Sequence, residues 1–401
     1  MPTEFLARRY DTAQLARIRL DGDRVVSATA LADDEATRVN AAAKSAGPLP
    51  WVSPGFVDVQ VNGWGGQEFS SEEITPEQVA QITREHFPFG VTSYCPTLTT
   101  QSYACLAHGL AAIHQACETI PEVAAYVPGI HLEGPFFSTE DGPRGAHPKE
   151  HCQRPDWNAF CRLQDAAGGR IRILTMSVEF DESAEFVAKV TASGVCVSIG
   201  HTGADSAHIR AAVDAGARMS THLGNGAHRM LRRHPNYIWD QLAEDRLTAS
   251  LIIDGHHLPP EVVKSMVRAK TPERIVLVSD VSGLAGKPVG RYAMTSGLEL
   301  EILPDGRLVI AGQDQLLAGA SLPIQYGIAN VMRFAGVDLP TAVAMASTTP
   351  ARIIDAPCGG LRPGDLADLA LFHWSPGDTT LEIAATISHG KVVYGKLSTA
   401  V

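Results

Sequence analysis

Three short segments end apolar runs on residues that bind metals: Gly129-Ile130-His131-Leu132-Glu133-Gly134-Pro135, Ser198-Ile199-Gly200-His201 and Ser220-Thr221-His222. Each reads as a strand with a ligand group at its C-terminal tip. A carboxylate in the position of Glu133 is poorly placed for packing and well placed for metal binding or catalysis. One carboxylate and two imidazoles on successive strand ends suit a divalent transition metal. A mononuclear catalytic site needs about three protein ligands and an open position for water, and Glu133, His201 and His222 supply three. Such an ion would bring the pKa of its bound water toward neutrality and polarise a carbonyl oxygen. Any one of the three alone reads more naturally as a satisfied polar residue; the set of three favours a site.

Other groups lie where they could complete it. Asp280 follows the apolar strand Ile275–Ser279 and could take a proton from the activated water and hand it to a leaving amine. The alternative is a helix N-cap, but Val281-Ser282-Gly283-Leu284-Ala285-Gly286 does not look like a helix start. His147 lies in the loop after Glu133 and could present a donor to a scissile carbonyl, unless that loop is an unrelated surface segment. Asp254-Gly255-His256-His257 places two histidines just past a strand, one of which could hydrogen-bond substrate. Asn225 and the Gly226 amide stand beside His222, an arrangement that often holds small anions; the glycines there would equally serve a tight turn. The first strand closes on Asp58-Val59-Gln60-Val61-Asn62-Gly63, where many metal hydrolases of this architecture have His-x-His. Glutamine is a poor transition-metal ligand, so one metal is expected, with Gln60 and Asn62 as hydrogen-bonding or loop-positioning groups.

These residues need a scaffold that gathers strand ends. From Pro54 to about Arg352, apolar strand candidates alternate with Ala-rich amphipathic helices. The strands are placed at 55–61, 91–96, 125–131, 172–177, 195–201, 218–222, 248–253 and 275–279, and helices at 76–87, 101–118, 184–192, 207–215, 260–270 and 321–334. Eight strands alternating with helices imply an α/β fold, a TIM-like (β/α)8 barrel whose active site lies at the C-terminal strand ends. Residues 15–30 and the segments 366–372 and 391–394 alternate like β-strands. The expected organisation is a catalytic barrel at 54–352 and a small β-sandwich domain built from both termini, 1–53 and 353–401.

The 401-residue chain carries a net charge of -11 and no Lys/Arg run longer than two, which argues against nucleic-acid binding. Seven scattered cysteines, none in a C-x-x-C, suggest reduced thiols and a cytoplasmic setting. Neither a signal peptide nor a membrane span is read.

Taken together, Pro54–Gly63, His131–Phe136, Gly200–Thr202, Thr221–Asn225, Asp254–His257, Val278–Asp280 and Leu317–Gly319 resemble the amidohydrolase superfamily, and within it the N-acetylglucosamine-6-phosphate deacetylases. The resemblance covers nearly the whole chain, with Thr349–Arg352 and Gly364–Asp368 similar to the family's closing helix and returning β-strand. His201 and His222 are 21 residues apart, which suits consecutive barrel strands. By this resemblance Glu133, His201 and His222 hold one divalent metal per subunit, zinc in first place and iron as the alternative. Asp280 is implied as general base and then general acid, and His147 as the group polarising the acetyl carbonyl. His257 would contact the sugar or its phosphate, and Asn225 with the Gly226 amide would help hold the phosphate. The implied reaction is hydrolysis of N-acetylglucosamine 6-phosphate to glucosamine 6-phosphate and acetate. The implied partners are that small amino-sugar phosphate and a second subunit in a homodimer.

One segment departs from the pattern. Family members have an arginine after the second metal histidine that reaches the phosphate, commonly in the neighbouring subunit. Here the chain reads Asn225-Gly226-Ala227-His228-Arg229-Met230-Leu231-Arg232-Arg233-His234-Pro235. Arg232 or Arg233 could stand in for it. The competing reading is an amidohydrolase acting on another N-acyl amine or a cyclic amide without a phosphate requirement. Arginines reaching the pocket from 229–233 would favour the phosphate.

Overall fold

The computed structural model describes residues 3–293, 299–312 and 317–397. Its centre is an eight-stranded parallel sheet. In chain order its strands are Phe56–Val61, Val91–Thr99, Ile130–Glu133, Ile171–Met176, Cys196–Ile199, Met219–Ser220, Thr248–Leu251 and Ile275–Leu277. A parallel bridge between Val61 and Val281 and the bond from the Asp280 N–H to the Gln60 carbonyl (2.9 Å) join the last strand's end to the first, closing the barrel. This is the expected (β/α)8 arrangement. Inward-facing Val57, Val59, Cys95, Ile173, Cys196, Met219 and Val276 fill the barrel with apolar side chains. The polar residues therefore collect above that plug, at the C-terminal rim.

Local chemistry explains the helices. Pro76–Glu85 starts at Pro76 with a full capping box between Thr75 and Gln78, which satisfies donors that the first turn leaves free. Ser102, Asp156, Asp205 and Asn236 cap Tyr103–Thr119, Trp157–Ala166, Ser206–Asp214 and Tyr237–Ala243, each side chain accepting from first-turn N–H groups.

Both termini contribute to one seven-stranded sheet, in which Trp51–Pro54 pairs antiparallel with Leu369–His373 and parallel with Thr3–Arg9. It has a core of its own around Phe5, Ile18, Val52, Leu369 and Ile387. Three elements differ from expectation. The strand placed at 125–131 is Ile130–Glu133, because Pro121-Glu122 opens a short helix, Pro121–Tyr126, over the first part of that stretch. The β-rich N-terminal segment contains the helix Asp33–Ala46, with three acidic residues in its first turn. A three-stranded antiparallel sheet, Gly290–Ala293, Glu299–Ile302 and Leu308–Ile310, is inserted after Asp280.

One buried group gives the fold a pH dependence. His86 is 1% exposed, bonds the Ile82 carbonyl through Nδ1 (2.8 Å) and stacks on Tyr94. Burial lowers its pKa from 6.5 to about 4. The folded state keeps the ring neutral while the unfolded chain takes up a proton below pH 6.5. Its contribution is thus complete above pH 6.5 and is lost as pH falls toward 4. The expected loss between pH 7 and pH 4.5 is about 2–3 kcal/mol. Urea unfolding at both values checks this: His86→Gln, which keeps a donor for Ile82, should narrow the gap by that amount, and an unchanged gap would contradict it.

Candidate active site

The three strand-tip residues converge. Glu133 Oε1 lies 3.0 Å from His222 Nε2 and 3.3 Å from His201 Nε2, and the two Nε2 atoms are 3.2 Å apart. All three residues are buried, with 3–7% exposure. Donor atoms held at ~2.0–2.1 Å by one tetrahedral ion stand about 3.3 Å from each other. The triangle therefore has the dimensions of one face of such a site. Two imidazole nitrogens facing each other over a carboxylate oxygen also need a proton or a cation between them. The residues present fit a divalent metal.

The backbone is strained where these side chains project. His201, His222 and Asp280 have positive φ values of 50°, 29° and 52°, a region that non-glycine residues seldom adopt and that clusters at functional sites. Packing holds the rings. The Pro143 carbonyl accepts from His201 Nδ1–H (2.8 Å), which directs Nε2 toward Glu133. Gly226 sits so close that a Cβ there would lie 2.7 Å from His201 Nδ1. Phe137 packs on both His147 and His201.

Gln60 Nε2 donates to Glu133 Oε2 (3.2 Å), and Asn62 Nδ2 donates to Asp280 Oδ1 (2.7 Å). The first strand was compared with His-x-His at Asp58 and Gln60. Gln60 and Asn62 thus bond the two carboxylates, while Asp58 lies deeper and accepts from the backbone N–H groups of Gln60 and Ser279. Below the triangle runs a polar chain that sequence reasoning missed: His131 Nε2 to Thr175 Oγ1 (2.7 Å), Thr175 to Thr221 (2.7 Å) and Thr221 to Ser198 (2.5 Å). Threonine and serine are common inside strands, so only the inward-facing register could have singled these out.

Electrostatics separates the two carboxylates. Burial pushes Glu133 up, but hydrogen bonds and charge from His201 and His222 outweigh it and hold the carboxyl well below its usual range. Asp280 is raised to about 6 by burial and then by the Glu133 charge. Burial, with His201 next, lowers His147 well below 6.5, so its ring is neutral. His147 Nε2 lies 3.2 Å from His201 Nε2, and Glu133, His147 and His201 also place ligand atoms within 4.8 Å of one another.

His257 is held by Asp254 through Nδ1–Oδ2 (2.7 Å) and through its backbone N–H (3.0 Å), which leaves Nε2 for another partner. Asn225 donates to the His222 carbonyl (3.2 Å). Arg232 and Arg233 do not join this cluster. Both are exposed, and neither side chain is paired among the described residues. No described helix is long and apolar enough to cross a membrane.

Comparison with known proteins agrees with this geometry. The profile of the amidohydrolase family matches residues 51–393. N-acetylglucosamine-6-phosphate deacetylase of Bos taurus is 33% identical over 359 residues, 86% of this chain and 83% of that protein. N-acetylgalactosamine-6-phosphate deacetylase of Shewanella sp. (strain ANA-3) is 29% identical, over 85% of this chain and 82% of the relative. The crystal structure of N-acetyl-D-glucosamine-6-phosphate deacetylase from Mycobacterium smegmatis is 28% identical and superposes with a TM-score of 0.83, covering 98% of this chain and 100% of the other. With a barrel that gathers a carboxylate, two imidazoles and an aspartate at its rim, and a profile match over most of its length, this chain belongs to the amidohydrolase family.

Proposed function

We propose that the protein is a metal-dependent deacetylase of N-acetylhexosamine 6-phosphates, with N-acetylglucosamine 6-phosphate as substrate. The observation that carries the reading is the Glu133–His201–His222 triangle, with edges of 3.0–3.3 Å, facing an aspartate held by Asn62. Glu133, His201 and His222 would hold the ion, which we take to be zinc. When bound, it supplies Lewis acidity and lowers the pKa of a water.

The protein's own groups do the rest. Asp280 accepts the proton of the attacking water and delivers it to the amide nitrogen as the C–N bond breaks, giving acetate and the free amine. A carboxyl with a pKa of about 6 serves both directions near neutral pH, and a bound cation pulls that value down. His147, neutral in its buried setting, donates to the acetyl oxygen as charge develops there. His257, oriented by Asp254, contacts the sugar, and Asn225 with the Gly226 amide holds the phosphate.

Arg232 and Arg233 complete phosphate binding in a neighbouring subunit of a homodimer. Their exposure, with no side-chain partner among the described residues, beside the exposed Met230, Leu231 and Trp239, supports this. The division into a barrel at 54–352 and a β unit from 1–53 and 353–401 belongs to the same proposal, supported by the cluster around Phe5, Ile18, Val52, Leu369 and Ile387 that lies within the terminal sheet.

The test is acetate release from N-acetylglucosamine 6-phosphate, N-acetylgalactosamine 6-phosphate and unphosphorylated N-acetylglucosamine. The expected order of kcat/KM is N-acetylglucosamine 6-phosphate, then N-acetylgalactosamine 6-phosphate, then the neutral sugar, lowest by about 100-fold or more. Equal rates with and without phosphate would sink the substrate assignment, and the galactosamine ester in first place would reassign the epimer.

A further inference from the structure

Three rim loops meet at one side chain that the chemistry above does not use. His228 lies between the loop that carries His147 and the helix Tyr237–Ala243. Its Nε2 is 2.9 Å from Glu140 Oε1, its Nδ1 is 2.9 Å from the Tyr237 hydroxyl, and its own backbone N–H donates to that hydroxyl (2.8 Å). One set of protons satisfies every contact. The backbone N–H donates to the tyrosine oxygen, the tyrosine O–H donates to Nδ1, and Nε2–H donates to the Glu140 carboxylate. The ring is fixed at both nitrogens.

The packing is tight on the loop side. A Cβ on Gly142 would stand 2.9 Å from the His228 Cα, and one on Gly203 would stand 3.3 Å from both Glu140 Oε2 and His228 Cε1. Between Glu140 and His147 lies Pro143, whose carbonyl accepts from His201 Nδ1–H (2.8 Å). Arg144 spans the same turn, donating to the His147 carbonyl (2.7 Å) and to Asp141 (2.5 Å). The contact to Glu140 is thus a short, braced distance in sequence from both His147 and the carbonyl that orients His201. On its other side, His228 is separated from Asn225 and Gly226 by Ala227 alone.

We propose that His228 is a positioning residue. Braced by Tyr237, it latches Glu140 so that the loop bearing His147 is set relative to the segment bearing Asn225 and Gly226. The latch joins the two ends of the substrate, since one loop addresses the acyl group and the other the phosphate. This role rests on the function proposed above. Glu140 is 63% exposed and His228 24%, so the pair contributes little to global stability. Its effect is local, on a loop whose placement by a fraction of an ångström matters to turnover.

The test uses full-length, metal-loaded protein and the variants His228→Phe, Glu140→Ala and their double. Glu140→Ala removes the acceptor of His228 Nε2–H from a largely exposed position, so it keeps the test alive should His228→Phe misfold. Each single variant is expected to keep its metal and melting temperature, to lower kcat about tenfold and to leave KM within about twofold. The double should lose no more than one single, because all three break one link. Amide hydrogen exchange in residues 138–148 should rise several-fold in every variant. That readout needs no activity. If wild-type protein releases no acetate from the sugar phosphate, the proposed function falls while exchange still decides the latch. Unchanged exchange in 138–148 overturns the latch, and so does full kcat in a loosened loop. Additive losses in the double would show that the two residues act separately and would also overturn it.

Discussion

Asp280→Asn is expected to leave a folded, metal-loaded protein whose kcat is lower by about 10³-fold or more, the scale of a lost general acid and base. Asparagine keeps the shape, and its Oδ1 can still accept from Asn62 Nδ2, which donates to Asp280 at 2.7 Å. The backbone at Asp280 is fixed independently by its N–H to the Gln60 carbonyl (2.9 Å). What the change removes is a group that can bind and release a proton. Burial and the Glu133 charge place that group at a pKa of about 6, whereas an amide does not titrate. Acetate release, circular dichroism and metal content of one sample check the prediction. Turnover within tenfold of wild type, with metal bound, would contradict it.

Glu133→Ala is expected to lose both metal and activity. The carboxylate is the only anion in direct contact with His201 and His222 among the described residues, and it meets both through Oε1. Without it, two buried imidazoles face each other at 3.2 Å with no anion in contact among the described residues, a poor receptor for a cation. Loss of a hydrogen-bond partner to a ligand costs roughly 10–100-fold in metal affinity, so loss of the charged ligand itself should exceed about 100-fold. Gln60→Ala removes only the donor to Glu133 Oε2 and should fall inside the smaller range. Metal titration of the two apo-proteins separates the cases; equal affinities would show that Glu133 is not a ligand.

Much of this site was legible because barrel strands are short, apolar and tipped by their functional residue. Glu133, His201, His222 and Asp280 each end such a run, so the period of the strands announced their convergence. Asn225 and Gly226 follow His222 closely in sequence, and the fold keeps them there, Asn225 on the His222 carbonyl and Gly226 against His201. Less visible was what depends on register. The register of the first strand shifts between Asp58 and Val61, and only the folded barrel shows that Gln60 and Asn62 reach the two site carboxylates while Asp58 bonds the backbone below. Thr175 and Thr221 escaped notice because their hydroxyls gain meaning only from His131 across the barrel. The helix Pro121–Tyr126 was hidden inside an apolar stretch whose length fits a strand equally well. His228 was passed over because its partners, Glu140 and Tyr237, lie in other loops and helices.

The proposed chemistry requires one divalent ion among Glu133, His201 and His222. Anomalous diffraction at the zinc edge from crystals of the metal-loaded protein tests it most directly. One strong peak per subunit is expected, contacting Glu133 Oε1, His201 Nε2 and His222 Nε2, and absent in Glu133→Ala. A peak bound instead by Glu133, His147 and His201, which also lie within reach of one another, or no peak in active protein, would contradict it.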